Sequence, residues 1–443
     1  MTHDICWNTN TPTDMGVALN TNDRFARRSG LLLGTVIAVV VFATAVRLNA
    51  HDLYRVLGVG GDAWGYYQYV ATLFGSHQFT QMPWTHHLDG DHFLSMFTCG
   101  VAYLQAPWAL LGHGLAWATG SPMDGYSAPY AVALMAGMAV YMAIASNLLF
   151  HALRRRFPVR IALAVPLLLL SATNLFFYAV RQPVMSHAYV YLLFCVMLYL
   201  VERNLERPSP WRTGGILITC SLAVLVRQLH VIVVLFPLLY LVTDASAFRA
   251  RLAWLTQRPS ITTACVLIAV ALWVPQLAYW HAVTGHWFIF PYGYKGEHFD
   301  HLFDPRIGDV LWGVRNGWLL YSPVMILAVG GLLWSAWYKV NGARTILVIL
   351  VLVLFSYAAW WCWWLGGAFG HRGFVDYYPF LAIPLAWTLA RIVSARWWVR
   401  IPALVFVVLT LVLNLRMTER YEWFWSEPDW TWARLTGEWA SLF

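Results

Sequence analysis

Residues 24–67 read RFARRSGLLLGTVIAVVVFATAVRLNAHDLYRVLGVGGDAWGYY, and this stretch decides the setting of the whole chain. Arg24, Arg27 and Arg28 stand directly before an uncharged apolar run from Gly30 to Val46. Such a run crosses a hydrocarbon core of about 30 Å as a helix, and its basic flank stays in the cytoplasm. Asp62 is thereby delivered to the opposite face, with glycines before it and aromatics after it. A cleaved secretory leader is the rival reading, because Ala43 to Ala45 has some character of a cleavage site. The length of the run favours an uncleaved anchor, and the orientation is the same in both cases.

The rest of the chain has the same character. Of its 443 residues 60% are hydrophobic and 11% charged, whereas a soluble domain carries about a quarter charged residues. The net charge of +8 comes from small Arg clusters beside apolar runs. That is the positive-inside pattern and not a groove for nucleic acid. Cys6, Cys99, Cys195, Cys220, Cys265 and Cys362 stand singly. Without CxxC pairs or finger spacing they indicate neither a disulfide framework nor a zinc site.

Placing each Arg cluster in the cytoplasm fixes the crossings in turn. Expected helices cover about 30–49, 127–153, 160–180, 187–201, two short ones within 213–243, then 260–283, 318–338, 345–365, 377–393 and 401–416. The apolar stretch 94–118 is read as an interfacial or re-entrant helix, since counting it as a span would put Arg154, Arg155 and Arg156 outside. The prediction is an all-α polytopic membrane protein of about eleven crossings. It divides into a cytoplasmic tail (1–29), a membrane domain (30–416) with outside segments 51–126 and 284–316, and an outside Trp-rich tail (417–443).

Within 213–243 both flanks are cytoplasmic, so the segment must turn back. Two helices of about 14 residues reach roughly 21 Å, short of a full span. Arg227 and His230 then sit at a turn below the outer surface, where an ionisable residue is expensive and marks function by default. A fork-shaped permanent cation at that depth suits phosphate oxygens.

The other unusual residues fall in the outside segments. Asp62 with Tyr66 supplies either a general base beside a stacking platform or a helix-cap carboxylate with interfacial aromatics. His86, His87, Asp89, Asp91 and His92 form either a divalent-ion site or a hydrated loop, and their spacing fits no dedicated metal motif. Asp124 is expected to cap the helix that follows it. The segment 291–323, PYGYKGEHFDHLFDPRIGDVLWGVRNGWLLYSP, is too long for a plain connector and brings Lys295 and Glu297. In 360–379, WWCWWLGGAFGHRGFVDYYP, a glycine-rich turn precedes His371, Arg372 and Asp376.

One carboxylate for a base, several cations for a phosphate and many aromatic faces for sugar rings meet the needs of a sugar joined through phosphate to a polyprenyl chain. In that chemistry an acceptor hydroxyl is deprotonated and attacks the anomeric carbon, while Arg or Lys stabilises charge on the departing phosphate.

The motifs GDAWGYYQY, DGYSAPY, SATNLFFYAVRQPVMSHAY, GYKGEHFDHL to NGWLLYSP and WWCWWLGGAFGHRGFVDYYP carry a likeness over about residues 30–390. There the chain resembles the GT-C superfamily of polyprenyl-phosphate-sugar-dependent glycosyltransferases, of the protein mannosyltransferase and aminoarabinose transferase type, in a bacterial branch. The resemblance implies that Asp62 holds the place of the catalytic base. It also implies a polyprenyl-phosphate monosaccharide donor handled in the periplasm by a multi-pass protein of the bacterial inner membrane. Many members of the superfamily have paired acids in the first loop, whereas Asp62 is followed by Ala63, which leaves open whether Asp89 or Asp91 supplies a second carboxylate. Relatives favour Arg-Pro-x-Asn where this chain has Arg227-Gln228-Leu229-His230. Metal use varies in the family, and a divalent metal is neither required nor excluded by the sequence.

The reading is therefore an inverting glycosyltransferase with Asp62 as base and Arg227, His371 and Arg372 at the donor phosphate. Tyr66, Lys295, Glu297, His230, Asp91 and Asp376 position donor or acceptor. The acceptor is a pilin or other protein, lipopolysaccharide or a cell-wall glycan. A transporter of lipid-linked sugar or a polysaccharide polymerase is the alternative; a transporter usually shows internal repeats, and none is visible.

Overall fold

A computed structural model of the chain describes residues 23–58, 61–74, 79, 82 and 84–442. Cys6, Gly60 and residues 1–22 of the polar tail lie outside the described residues. The protein is an all-α polytopic membrane protein, and its described strands are two of three residues each, Thr85–His87 and Phe93–Ser95, paired antiparallel as a hairpin. Five helical stretches are long and apolar enough to cross a membrane: 24–49, 128–153, 186–206, 259–284 and 397–420, the fourth interrupted at 272–273 between Pro259–Ala271 and Val274–Thr284. Shorter apolar helices cover 159–171, 210–226, 228–239, 325–337 and 343–359.

The first helix, Asp23–Asn49, starts ahead of the expected residue 30 and takes in the arginines, which are good helix formers. The stretch read as interfacial or re-entrant is the helix Ala102–Thr119, ended by Gly120 in the left-handed region. Asp124 does not cap the next helix, Ala128–Leu153, whose N-cap is Ser127. Its Oδ1 instead accepts from the amides of Tyr126 and Ser127, an Asx turn just ahead of the helix.

Several expected helices are interrupted, 260–283 at 272–273 and 318–338 at 322–324 among them, and two further interruptions bear on the site. Residues 160–180 form Val159–Ser171 and Leu175–Val180. In the gap, Thr173 Oγ1 donates to the Leu169 carbonyl and accepts from the amide of Leu175, so a side chain takes over backbone partners. The pair of 14-residue helices is one helix, Pro210–Val226, then an extended Arg227 at φ −154° and ψ 127°, then a 3-10 helix Gln228–Val234. A run of β-branched residues, Val231-Ile232-Val233-Val234, followed closely by Pro237, disfavours a continued α-helix there.

Arg156 and Arg251, from two of the arginine clusters, meet around Tyr240 at one end of the bundle. Arg156 Nη2 donates to Glu202 Oε2 at 3.0 Å, and Tyr240 OH donates to Glu202 Oε1 at 3.0 Å. Arg251 lies 4.3 Å over the Trp254 ring. Glu202 is near the end of the helix Ser186–Glu206, and His187 is at its start. Fifteen residues of helix at 1.5 Å each separate the two by about 22 Å. The residues around His187 form the second polar centre, at the opposite end from these arginines.

Candidate functional site

Asp62 opens the helix Asp62–Ala71, and Tyr66 follows it one turn later on the same face. Across the pocket, Arg372 opens the 3-10 helix Arg372–Tyr377. Its Nη2 donates to Asp62 Oδ2 at 2.5 Å. The Asp62 side chain stays 41% exposed while that of Arg372 is 12% exposed, so the carboxylate can be reached from outside and the cation is held from behind. Arg372 Nε is buried and has no hydrogen-bond partner among the described residues.

Arg227 reaches the same pocket because its backbone is extended between two helices. That joint is clamped from the first outside segment. Thr98 Oγ1 donates to the Val226 carbonyl at 3.1 Å, and the Cys99 amide donates to Gln276 Oε1 at 2.7 Å. Gly100 lies so close that an added Cβ would stand 2.5 Å from the Val226 amide nitrogen. A side chain at Gly100 would push away the backbone that aims Arg227. The phenols of Tyr357, Tyr66 and Tyr292 surround the Arg227 guanidinium. Its hydrogen-bond partner among the described residues is His187 alone, Nη1 to Nε2 at 3.4 Å.

Behind Arg227 runs a fully buried polar chain. His187 Nδ1 donates to Asp376 Oδ1 at 2.8 Å, and His230 Nε2 meets Asp376 Oδ2 at 2.9 Å. His230 Nδ1 donates to the Ala223 carbonyl at 3.0 Å. Burial pushes the Asp376 carboxyl up, but the two imidazoles outweigh it and hold the acid below the ordinary carboxylate range.

Not every residue singled out in the sequence faces this pocket in the same way. His371 is buried, its Nε2 bonded to the Trp363 carbonyl at 3.0 Å. Burial pushes its pKa down to about 3. A neutral ring whose one N–H is used by a carbonyl offers no cation to a phosphate, so Arg227 and Arg372 are the cationic donors here. Asp376 and His230 stand one layer behind the pocket, as described. Asp91 is exposed, and Asp89 pairs with His92 at 3.0 Å on the turn of the hairpin. Glu297, by contrast, is half-buried, and burial together with the charge of Asp62 raises its carboxyl above its ordinary value. Glu297 thus lies within electrostatic range of Asp62. Lys295 is exposed and opposes that rise. His187 carried no signal in the sequence beyond its place in the MSHAY motif, since a single histidine at a helix start is ordinary.

Among the described residues no group of three or more His, Cys, Asp and Glu is placed to hold a metal ion. His187 and His230 direct their ring nitrogens to Asp376, Ala223 and Arg227.

No protein-family model matches this chain, and no curated protein matches it. Two solved structures are similar to it. The archaeal oligosaccharyltransferase AglB from Archaeoglobus fulgidus, in complex with an inhibitory peptide and a dolichol-phosphate, is 12% identical with a TM-score of 0.48, over 87% of this chain and 56% of that one. An Archaeoglobus fulgidus oligosaccharyltransferase in complex with Zn and sulfate is 13% identical with a TM-score of 0.48, over 87% of this chain and 52% of that one. The chain spans little more than half the length of either. What fold and site define by themselves is a multi-pass helical membrane protein. It brings Arg372, Arg227 and several tyrosines together around the partly exposed carboxylate of Asp62.

Proposed function

We propose that this protein is a membrane glycosyltransferase of the GT-C type. It transfers a monosaccharide, with inversion, from a polyprenyl-phosphate donor to an acceptor hydroxyl on a protein or glycan. The proposed setting is the bacterial inner membrane with the pocket open to the periplasm, as the basic flank of the first helix directs. The observation that carries the reading is the Asp62–Arg372 pair with Arg227 beside it: an exposed acid within hydrogen-bond reach of a phosphate-type donor.

Arg227 has guanidinium N–H groups to spare, and Arg372 Nε is unpaired. A phosphate monoanion or dianion placed between them gains charge-assisted hydrogen bonds from both. It also competes with Asp62 for Arg372, so donor binding releases the carboxylate. Asp62 then takes the proton of the acceptor hydroxyl, the acceptor oxygen bonds to the anomeric carbon, and the carbon–oxygen bond to phosphate breaks. The electron pair leaves on the polyprenyl phosphate, where the two arginines stabilise it. Phosphate is a good leaving group, so one acid suffices where a glycosidase needs two. Tyr292 offers a partly exposed ring for the sugar, whereas Tyr66 is buried against Phe97 and lines the wall from behind.

The test is turnover of a synthetic polyprenyl-phosphate sugar by purified protein. The expected result is cleavage of the sugar–phosphate bond with transfer to a hydroxyl acceptor of inverted configuration. An intact donor that crosses a vesicle membrane would instead identify a transporter.

A further inference from the structure

The buried chain behind Arg227 makes three contacts that each need one proton from its own side chains, and the partners decide which atom carries it. A carbonyl oxygen carries no proton, so His230 Nδ1 is the donor to Ala223. The other nitrogen of that ring faces Asp376 Oδ2 at 2.9 Å. A neutral imidazole has a single N–H, so the proton of this second contact lies either on Asp376 or, as a second proton, on the ring. Against the effect of burial, the two imidazoles hold the Asp376 carboxyl below its ordinary range, which puts the proton on the ring. His187 resolves in the opposite sense. Its Nε2 faces a guanidinium, which only donates, so Nε2 must accept and the ring proton must lie on Nδ1, where it meets Asp376 Oδ1. All three side chains are fully buried.

We propose that His230, Asp376 and His187 form a positioning relay for Arg227: a doubly protonated His230 fixes the Asp376 carboxylate, which holds His187 as the tautomer that offers a lone pair to the guanidinium. The relay rests on the reading of Arg227 as the donor-phosphate contact. Neither His187 nor Asp376 touches the substrate in this scheme. They determine where Arg227 points. Without the carboxylate, nothing fixes the His187 proton on Nδ1. An Nε2–H turned toward the guanidinium opposes two donors and drives Arg227 from the pocket.

Two measurements decide this. In nitrogen-15 spectra of the histidine-labelled full chain, His230 should show both ring nitrogens protonated and His187 should show the Nδ1–H form. The signals are assigned by their loss in His230→Gln and His187→Phe. A neutral His230 or an Nε2–H His187 would overturn the relay, and this readout does not depend on any enzymatic activity.

The second measurement is binding of polyprenyl phosphate to the purified chain. Asp376→Asn should weaken it about tenfold, the loss expected for one hydrogen bond to a charged group. His187→Phe, which keeps a ring of similar size, should do the same. Combined with Arg227→Gln, either change should add nothing further. A full additional loss in the double variant would show that Asp376 acts on the fold and not through Arg227. Failure of the unmodified chain to bind polyprenyl phosphate would defeat the donor reading, and the spectra alone would then decide the relay.

Discussion

Arg372 and Asp62, 310 residues apart in the chain, are joined at 2.5 Å, and they are the cation and the carboxylate that the proposed transfer needs at separate moments. The pairing makes the base unavailable until something else occupies Arg372. In the proposed reaction that something is the donor phosphate, which gives an order: donor first, then acceptor deprotonation.

The first prediction follows from that order. Asp62→Asn removes the base and also releases Arg372. Transfer should fall by about two to four decades, the usual contribution of general-base catalysis. Binding of polyprenyl phosphate should be kept or improved, because a competing carboxylate has gone. Turnover and equilibrium binding on the same preparation check both parts, and near-normal transfer would remove Asp62 as the base.

Arg372→Lys should behave differently. Lysine keeps the charge but has no planar fork, so it cannot pair with Asp62 and a phosphate through separate N–H groups. The expected loss in turnover is on the order of two to three decades, as for other charge-stabilising donors. The polyprenyl phosphate affinity should fall with it, whereas in Asp62→Asn it does not. The contrast between the two variants separates a base from a phosphate ligand.

Glu297 gives a pH prediction. Burial and the neighbouring Asp62 charge raise its carboxyl in the folded protein. A raised folded pKa means that the native state holds this proton more tightly than the unfolded chain does. Stability from this group therefore rises as pH falls through its raised folded pKa, and it is lost toward neutral pH. Glu297→Gln should flatten that rise and lift the neutral-pH melting temperature by about a degree or two. Melting curves from neutral pH down to the ordinary carboxylate range check it.

The positions of Asp62, Arg227 and Arg372 were legible in the sequence because charge is rare in this chain and each stands beside an apolar run whose sidedness is set by arginines. Membrane depth made Arg227 conspicuous for the same reason. The electrostatic influence of Asp62 on Glu297 was not legible. It depends on how the segment 284–316 folds over the pocket, and no period or spacing records that. His187 was missed because its role exists only through Asp376, 189 residues away. The helix break at 172–174 was hidden in a run of apolar character, where Asn174 looked like an isolated polar residue. In the fold its side chain donates to the Phe369 carbonyl at 3.1 Å and accepts from Tyr378 at 2.7 Å. It thereby ties the break to the loop that presents Arg372.

The Trp-rich tail yields the last prediction. The tail packs onto the bundle: Trp425 and Trp430 are buried and stack with ring centroids 4.9 Å apart. Trp430 Nε1 donates to Tyr321 OH at 2.8 Å, and Arg315 Nε donates to the Ser426 carbonyl at 2.8 Å. Arg315 also lies 4.0 Å over the ring of Trp364, and Asn316 Nδ2 donates to the Trp364 and Gly366 carbonyls. The tail thus braces the loop that leads into His371 and Arg372. Trp430→Ala should cost about 3–5 kcal/mol of stability, typical of a buried tryptophan. Trp430→Phe keeps the stack but loses the bond to Tyr321, at about 1 kcal/mol. If the brace positions Arg372, the phenylalanine variant should also bind polyprenyl phosphate more weakly at a temperature where it is fully folded. Unchanged affinity there would confine the tail to stability.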